Sequence, residues 1–333
     1  MALIELLPRM RGKRVMVVGD ITLDLYIMGQ AVGISPEAPV PRVEVQSESH
    51  LLGGVANLLR NLRDLGGEGV PISVVGKDAE GERVLRELEG MGAETSGILV
   101  GEGLSTPTVQ RIMSPNGHQF LRLDRPRQRL NGEMVRRLVE EAEGRMGECG
   151  LVILADYGKG VMTPELAREV ASRARERGLK VVASPRAESF LFFRWADVLR
   201  TNRREASQVT GISSQDEAAT LIMGHKILSS VGCGAVFLTW VEGGSHLFER
   251  EGEVTFFPPL VRRPLDVTGV GDAMVGTLSL ALAAGAGLRE AAHLSHYAGA
   301  IVSCKRGLAT ASSRELGDSL REGEGFFRRL LGE

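Results

Sequence analysis

The stretch Asp266-Val267-Thr268-Gly269-Val270-Gly271-Asp272 runs directly into Ala273-Met274-Val275-Gly276-Thr277-Leu278. A proline-broken extended segment, Phe256 to Leu265, leads into it, and the apolar run Ala273 to Leu282 that follows has the length and small side chains of a buried helix. Two glycines therefore fall where an extended segment becomes a helix. Gly269 and Gly271 permit positive φ and close backbone approach at such a turn. The first N–H groups of the helix, from Gly269 to Asp272, have no partner within it and, with the helix dipole, form an anion site. The carboxylate of Asp272 stands in the same turn. A bound phosphate repels it, so the position calls for a chemical purpose, such as taking the proton from a hydroxyl that attacks the phosphate. An acidic first turn also stabilises a helix by about 0.3–1 kcal/mol, so the pattern alone leaves both roles open for Asp272.

Composition narrows the choice. A chain of 333 residues with 43% hydrophobic content can build a large α/β core, and its 42 glycines suit many tight strand–helix turns. A net charge of −2 argues against a nucleic-acid surface. Cys149, Cys233 and Cys304 are far apart and odd in number, which fits neither a disulfide framework nor a zinc site. Met1 to Arg14 lacks the apolar core of a secretion signal, and no run approaches the length of a membrane span. A cytoplasmic protein without nucleic-acid or membrane partners is expected.

Strand-like and helix-like segments alternate along the chain. Arg14 to Asp20 reads as a buried strand with a polar tip; Ile21 to Gly29 and Val40 to Val45 read as strands around the proline-punctuated 34–41. A helix opens at Gly54 and ends near Leu65; a strand (71–76) and a helix (81–91) follow. Thr106 to Met113 and Gln119 to Asp124 form an expected hairpin around Asn116-Gly117. From Leu151 onward strands and helices alternate regularly, closing with helices at 270–284 and 288–305 and an amphipathic tail, 314–331, expected as a solvated surface helix. This pattern predicts an α/β fold: a mostly parallel sheet with helices on both faces, plus a small β lid from about 21–50 and 105–124, all within one domain over 1–333. Ligands in such folds bind at the carboxyl ends of the strands, where Asp20, Asp156, Asn202, Thr239 and the 266–272 loop should converge.

Neither a GxxxxGK[ST] loop nor a GxGxxG fingerprint after the first strand is present. The late glycine loop, Gly53-Gly54-Val55-Ala56-Asn57 and Asn202-Arg203-Arg204-Glu205 together resemble, in order and over nearly the whole chain, the ribokinase/PfkB family of sugar kinases. Within that family the chain is most similar to bacterial D-glycero-D-manno-heptose-7-phosphate kinases. Val18-Gly19-Asp20 with Leu23-Asp24, Ile34-Ser35-Pro36-Glu37-Ala38-Pro39-Val40-Pro41, Leu121-Arg122-Leu123-Asp124 and Asp156-Tyr157-Gly158-Lys159-Gly160 carry that similarity. The resemblance implies a ribokinase-like fold and ATP-dependent phosphorylation of the sugar C1 hydroxyl. Asp272 would be the base, and the N–H groups of Gly269, Val270 and Gly271 would hold the developing charge. Asp20, Asp24, Gly53, Gly54, Asn57 and Asp156 would border the sugar. Arg111, Arg122 and Lys159 would meet the substrate's own phosphate. Asn202 and Glu205 would act on Mg²⁺ through water, and Thr239, Gly244 and His296 would border ATP. A monovalent cation near the Asp266 loop and the 305–307 turn, and a homodimer joined through the lid, are further implications.

Three positions depart from the heptose-kinase pattern: Ser184 where aspartate is usual, Ala273 after the base where threonine or serine is usual, and His296 where asparagine usually lies. They leave open a kinase for another sugar phosphate or a nucleoside, and a catalytically silent relative that binds sugar or nucleotide.

Overall fold

A computed structural model of the chain describes residues 3–125, 129–214 and 216–332. Its main sheet has nine strands: β1 (Arg14–Gly19), β4 (Glu68–Gly76), β5 (Ile98–Gly101), β8 (Leu151–Ala155), β9 (Lys180–Ser184), β10 (Val198–Asn202), β11 (Ala235–Trp240), β12 (Gly244–Glu249) and β13 (Val254–Phe257). They lie in the order β13-β12-β11-β10-β9-β8-β1-β4-β5. All pairings from β5 to β11 are parallel, while β12 and β13 add an antiparallel edge.

Side-chain alternation divides the core into two layers. Val15 and Val17 of β1 join Leu58 and Leu62 of helix Val55–Asp64, Met274 and Leu278 of helix Val270–Ala283, and Ile301 of helix Leu288–Ser303. Met16 and Val18 face the other way, onto Leu138, Val170 and Met223 of the helices Gly132–Arg145, Pro164–Glu176 and Glu217–Val231. A sheet buried on both faces explains the unbroken apolar run of β1. Helix 270–283 is buried from Ala273 to Leu282 because the sheet and two helices enclose it, which accounts for its lack of a polar face.

Registers pairing Gly19 with Ala155, Ala155 with Ser184, and Asn202 with Thr239 bring the strand tips level. Asp20, Asp156, Asn202 and Thr239 therefore stand along one rim, as the alternation predicts, and Ser184 lies beside Asp156.

A second sheet, in the order β3-β2-β6-β7, rises beside this rim. It is built from β2 (Ile21–Ile34), β3 (Pro41–Gly54), β6 (Thr108–Met113) and β7 (Gln119–Asp124). β2 pairs with β3 antiparallel and with β6 parallel, and β6 and β7 form the expected hairpin with Gly117 at φ 86. β2 and β3 are longer than the sequence suggests. Irregularities at Met28/Gly29 and Ala31/Gly33 interrupt the side-chain alternation, and the exposure of both faces of β3 over residues 44–49 hides it.

Several short elements carry no sequence signal, the 3-10 turn Ala187–Phe193 among them. Helix Leu6–Met10 packs on the core, and β5, four residues long, is too short to show a period. The expected tail helix is corrected: Gly323, at φ 57, divides it into Ser313–Glu322 and Glu324–Leu331. Leu316, Phe326 and Phe327 are buried in the core, so the tail docks rather than floats. Among the described residues no helix is long and apolar enough to cross a membrane. All three cysteines are buried thiols, and burial pushes Cys149 and Cys233 up to about 11.

Candidate active site

The loop that precedes helix 270–283 is tied down on both sides. Asp266 accepts the Thr268 N–H on Oδ1 at 2.9 Å and the Gly307 N–H on Oδ2 at 2.9 Å. Burial alone would raise its pKa, but these hydrogen bonds outweigh it and hold the carboxyl below its usual range. Gly269 is the N-cap at φ 78, a conformation that strains any residue with a side chain, and its carbonyl accepts the Ala273 N–H. The helix thus begins at the rim with the N–H groups of Gly271 and Asp272 in its first turn, while the Val270 N–H, expected to hold phosphoryl charge, donates to the Val267 carbonyl at 3.4 Å.

Asp272 is half-buried in that turn and held by two donors. Asn57 Nδ2 donates to Oδ2 at 2.6 Å, and the Tyr157 hydroxyl donates to Oδ1 at 2.7 Å. Burial pushes the Asp272 pKa up; Asn57, Tyr157 and the nearby charge of Arg200 pull it back only in part. Burial, then the Asp272 charge, drive the Tyr157 phenol well above its ordinary value, so it remains a donor. An oriented carboxylate of raised basicity beside the Gly271 and Asp272 N–H groups of a helix start can accept a proton from a hydroxyl placed between them. Asn57 was expected to hold a sugar hydroxyl; here its amide goes to Asp272, and its own Oδ1 is buried without a hydrogen bond among the described residues.

Asp20 is fully buried and presents no free oxygen to the crevice. Its Oδ2 accepts the N–H groups of Tyr157 (3.0 Å) and Lys159 (3.2 Å), and Oδ1 accepts that of Val161 (2.8 Å). Burial raises its pKa to about 6 against the pull of these three donors. Asp20 therefore positions the loop that carries Tyr157. Asp156 closes the same loop by accepting the Gly158 N–H at 2.7 Å. Gly53 and Gly54 face Thr22 and Ile21 across the β2–β3 pair, and Gly54, at φ 64, begins the helix that carries Asn57.

The three cations expected to meet a substrate phosphate are all paired. Arg111 binds Asp24 and lies over the Tyr26 ring, 5.2 Å from its centre. Arg122 donates to both oxygens of Asp124, at 2.6 and 2.9 Å, and Lys159 reaches the same carboxylate at 3.1 Å. The Arg122 hydrogen bonds hold Asp124 far below the usual carboxylate range.

Along the other half of the rim, Asn202 and Glu205 form a capping box. Asn202 Oδ1 accepts the Glu205 N–H at 2.9 Å, and Glu205 Oε2 accepts the Asn202 N–H at 3.2 Å. Thr239 is buried; its hydroxyl accepts from Arg200 Nη2 at 2.7 Å and donates to the Thr201 carbonyl at 3.1 Å. Gly244 opens β12 opposite Trp240. His296 Nε2 donates to the Pro258 carbonyl at 2.9 Å while Nδ1 accepts from Ser245 at 3.1 Å. Burial pulls its pKa down to about 4, so it is a neutral ring lining a narrow cleft with Trp240, Val241 and Met274. Ala273 is fully buried, and Ser184 at the tip of β9 accepts the Asp156 N–H through its carbonyl.

The sequence profile of the pfkB family carbohydrate kinases matches residues 13–315. The chain belongs to the pfkB family of carbohydrate kinases. Its family is one of carbohydrate kinases. The bifunctional protein HldE of Paramagnetospirillum magneticum is 36% identical over 316 residues, covering 95% of this chain and 64% of that protein. The HldE of Geobacter sulfurreducens is 36% identical over 313 residues, covering 93% and 64%. The chain therefore spans less than two thirds of the length of these relatives. Among solved structures, Arabidopsis thaliana ribokinase complexed with ribose and ATP superposes with a TM-score of 0.72 at 16% identity, covering 93% of this chain and 99% of that one. Escherichia coli phosphofructokinase-2 in complex with potassium gives 0.74 at 20%, covering 96% and 100%. At such identities the likeness establishes the ribokinase-like fold.

Two residues beside the candidate site carry no clear signal in the sequence. Tyr157 sits inside the quoted Asp156-Tyr157-Gly158-Lys159-Gly160, but its charged neighbours drew the assignment. Arg200 lies in a strand that reads as core, where an interior cation is itself the unusual signal.

Proposed function

We propose that the kinase transfers the γ-phosphoryl group of ATP to the C1 hydroxyl of D-glycero-D-manno-heptose 7-phosphate, giving the 1,7-bisphosphate. The supporting observation is the Asp272 carboxylate held by Asn57 and Tyr157 in the first turn of helix 270–283. In the proposed reaction Asp272 takes the hydroxyl proton while the helix N–H groups receive the charge of the phosphoryl group. Lid strands β2, β3, β6 and β7 exclude water, which suppresses transfer to solvent. Among the described residues no group of three or more His, Cys, Asp or Glu could cage a metal ion. Asn202 and Glu205 offer the oxygen donors that Mg²⁺ takes, and Mg²⁺ keeps several of its waters when it is held mainly by a nucleotide. Bound there, Mg²⁺ would neutralise phosphate charge, with Glu205 and Asn202 acting on its waters. Asp266 and the Lys305–Gly307 turn, joined by the Gly307 hydrogen bond, are the proposed surroundings of a monovalent cation.

A second reading, another sugar phosphate or an unphosphorylated sugar as acceptor, has its own support. Arg111, Arg122 and Lys159 are each paired with Asp24 or Asp124, so a substrate phosphate must compete with carboxylates already in place. A turnover screen of phosphorylated and unphosphorylated sugars with ATP and Mg²⁺ decides. Preferred transfer to heptose 7-phosphate, with Asp272→Asn slower by about 10²–10⁴-fold, is the expected result. Equal rates on the unphosphorylated heptose would reject the substrate, and wild-type turnover by Asp272→Asn would reject the base. ATP-induced thermal stabilisation without any turnover would favour a silent relative. We further propose a homodimer through the lid, whose Val32, Ile34, Val40, Val45, Leu121 and Leu123 are exposed.

A further inference from the structure

Arg200 sits in β10 and is only 6% exposed. Its side chain points toward the start of helix 270–283: a Cβ added to Gly271 would lie 2.7 Å from Nη1. Nη2 donates to the Thr239 hydroxyl at 2.7 Å, and Nε is buried with no hydrogen-bond partner among the described residues. No carboxylate among the described residues forms an ion pair with it; Asp272 and Glu205 act on it only from a distance. A buried guanidinium with an orphaned N–H is costly, and an apolar side chain of similar length would be cheaper. The surroundings make it worse, because the positive end of the helix dipole faces the cation. Two positive groups converging on one spot are stabilised by an anion between them. In a carbohydrate kinase that uses ATP, the anion at this end of the helix is the phosphoryl group.

We propose that Arg200 is a further catalytic residue of this kinase, its guanidinium joining the Gly271 and Asp272 N–H groups to hold the phosphoryl group during transfer. In that step the sugar oxygen bonds to the γ-phosphorus and the bond from phosphorus to the bridging oxygen of ADP breaks. The hydroxyl proton goes to Asp272, ADP leaves with the electron pair, and Arg200 keeps its protons throughout. The inference rests on the glycine loop being the site of transfer.

The test compares Arg200→Met, Arg200→Lys and Asp272→Asn in the whole chain. It reads kcat, KM for ATP, and the melting temperature alone, with ADP, and with ADP plus aluminium fluoride, a mimic of the phosphoryl group in transit. Arg200→Met is expected to lose about 10²–10³-fold in kcat, with little change in KM. It should melt no lower than wild type when unliganded and lose the extra stabilisation that aluminium fluoride adds to ADP. Wild-type kcat in Arg200→Met overturns the inference. So does a lowered unliganded melting temperature with the aluminium fluoride increment intact, which marks a structural strut. Should Arg200→Met fail to fold, Arg200→Lys, which keeps the charge without the planar fork, should lose at least about tenfold in kcat; wild-type turnover there overturns the inference equally. If Asp272→Asn keeps its kcat, the proposed site of transfer is itself wrong. If Asp272→Asn is slow and Arg200→Met is not, the Arg200 inference alone fails.

Discussion

Replacing Tyr157 by Phe removes one of the two donors on the Asp272 carboxylate and leaves the ring and its packing in place. The lost hydrogen bond, 2.7 Å from phenol to Oδ1, stabilises the ionised carboxylate more than the protonated one. Hydrogen bonds to charged groups are worth about 1.5–3 kcal/mol, and neutral ones about 0.5–1.5. The difference of about 1–1.5 kcal/mol corresponds to about one unit of pKa. Asp272 already lies above its ordinary value through burial, so the variant moves it further upward. A base must be unprotonated to act. The acid limb of kcat against pH should therefore shift about one unit toward neutral, with kcat on the plateau within a few-fold of wild type. The assay is ADP release at saturating ATP and sugar from acid to mildly alkaline pH, with Asn57 untouched as the remaining donor. A limb that stays in place, or moves toward acid, would refute the claim that Tyr157 tunes Asp272, the proposed base. A uniform loss at every pH would instead show that the phenol only positions substrate.

Three other outcomes follow from the same geometry. Gly54→Ala combines φ 64 with a Cβ 2.2 Å from the Asp20 carbonyl oxygen, so about 1–3 kcal/mol of backbone strain adds to a backbone clash; unchanged stability in urea unfolding would contradict it. Asp20 has a folded-state pKa raised from 3.8 to about 6, so its contribution is full below the unfolded value and lost as pH rises through the folded one. Wild type should lose up to about 3 kcal/mol across that window, and Asp20→Asn should not; parallel profiles for the two proteins would disprove the assignment. At the lid, Ile34→Asp with Val45→Asp, at positions 66% and 54% exposed, should convert a dimer to a monomer in light scattering. A wild type that is already monomeric would remove the proposed interface.

The fold was largely legible because its signals are local. The apolar run of β1, the regular βα alternation after Leu151 and the small-residue helix after Gly271 each report burial over a few residues. Legibility failed where the period was short or masked. β5 has four residues, β2 and β3 carry irregularities, and the tail's mixed charge conceals that Phe326 and Phe327 dock on the core.

The site divides along the same line. The sequence by itself determined the glycine turn, the acid that follows it and the family, since the conformational freedom of Gly269 and the free N–H groups of a helix start depend only on neighbours along the chain. Tertiary structure alone decided the surroundings of those groups. It set Asn57 and Tyr157, 215 and 115 residues away in sequence, on the Asp272 carboxylate. It committed Asp20 to the 157–161 backbone, closed the lid cations onto Asp24 and Asp124, and left Arg200 buried with no ion-paired carboxylate among the described residues. Charge and basicity depend on what lies within a few ångströms through space, and in this sheet those neighbours come from strands and helices far apart in the chain.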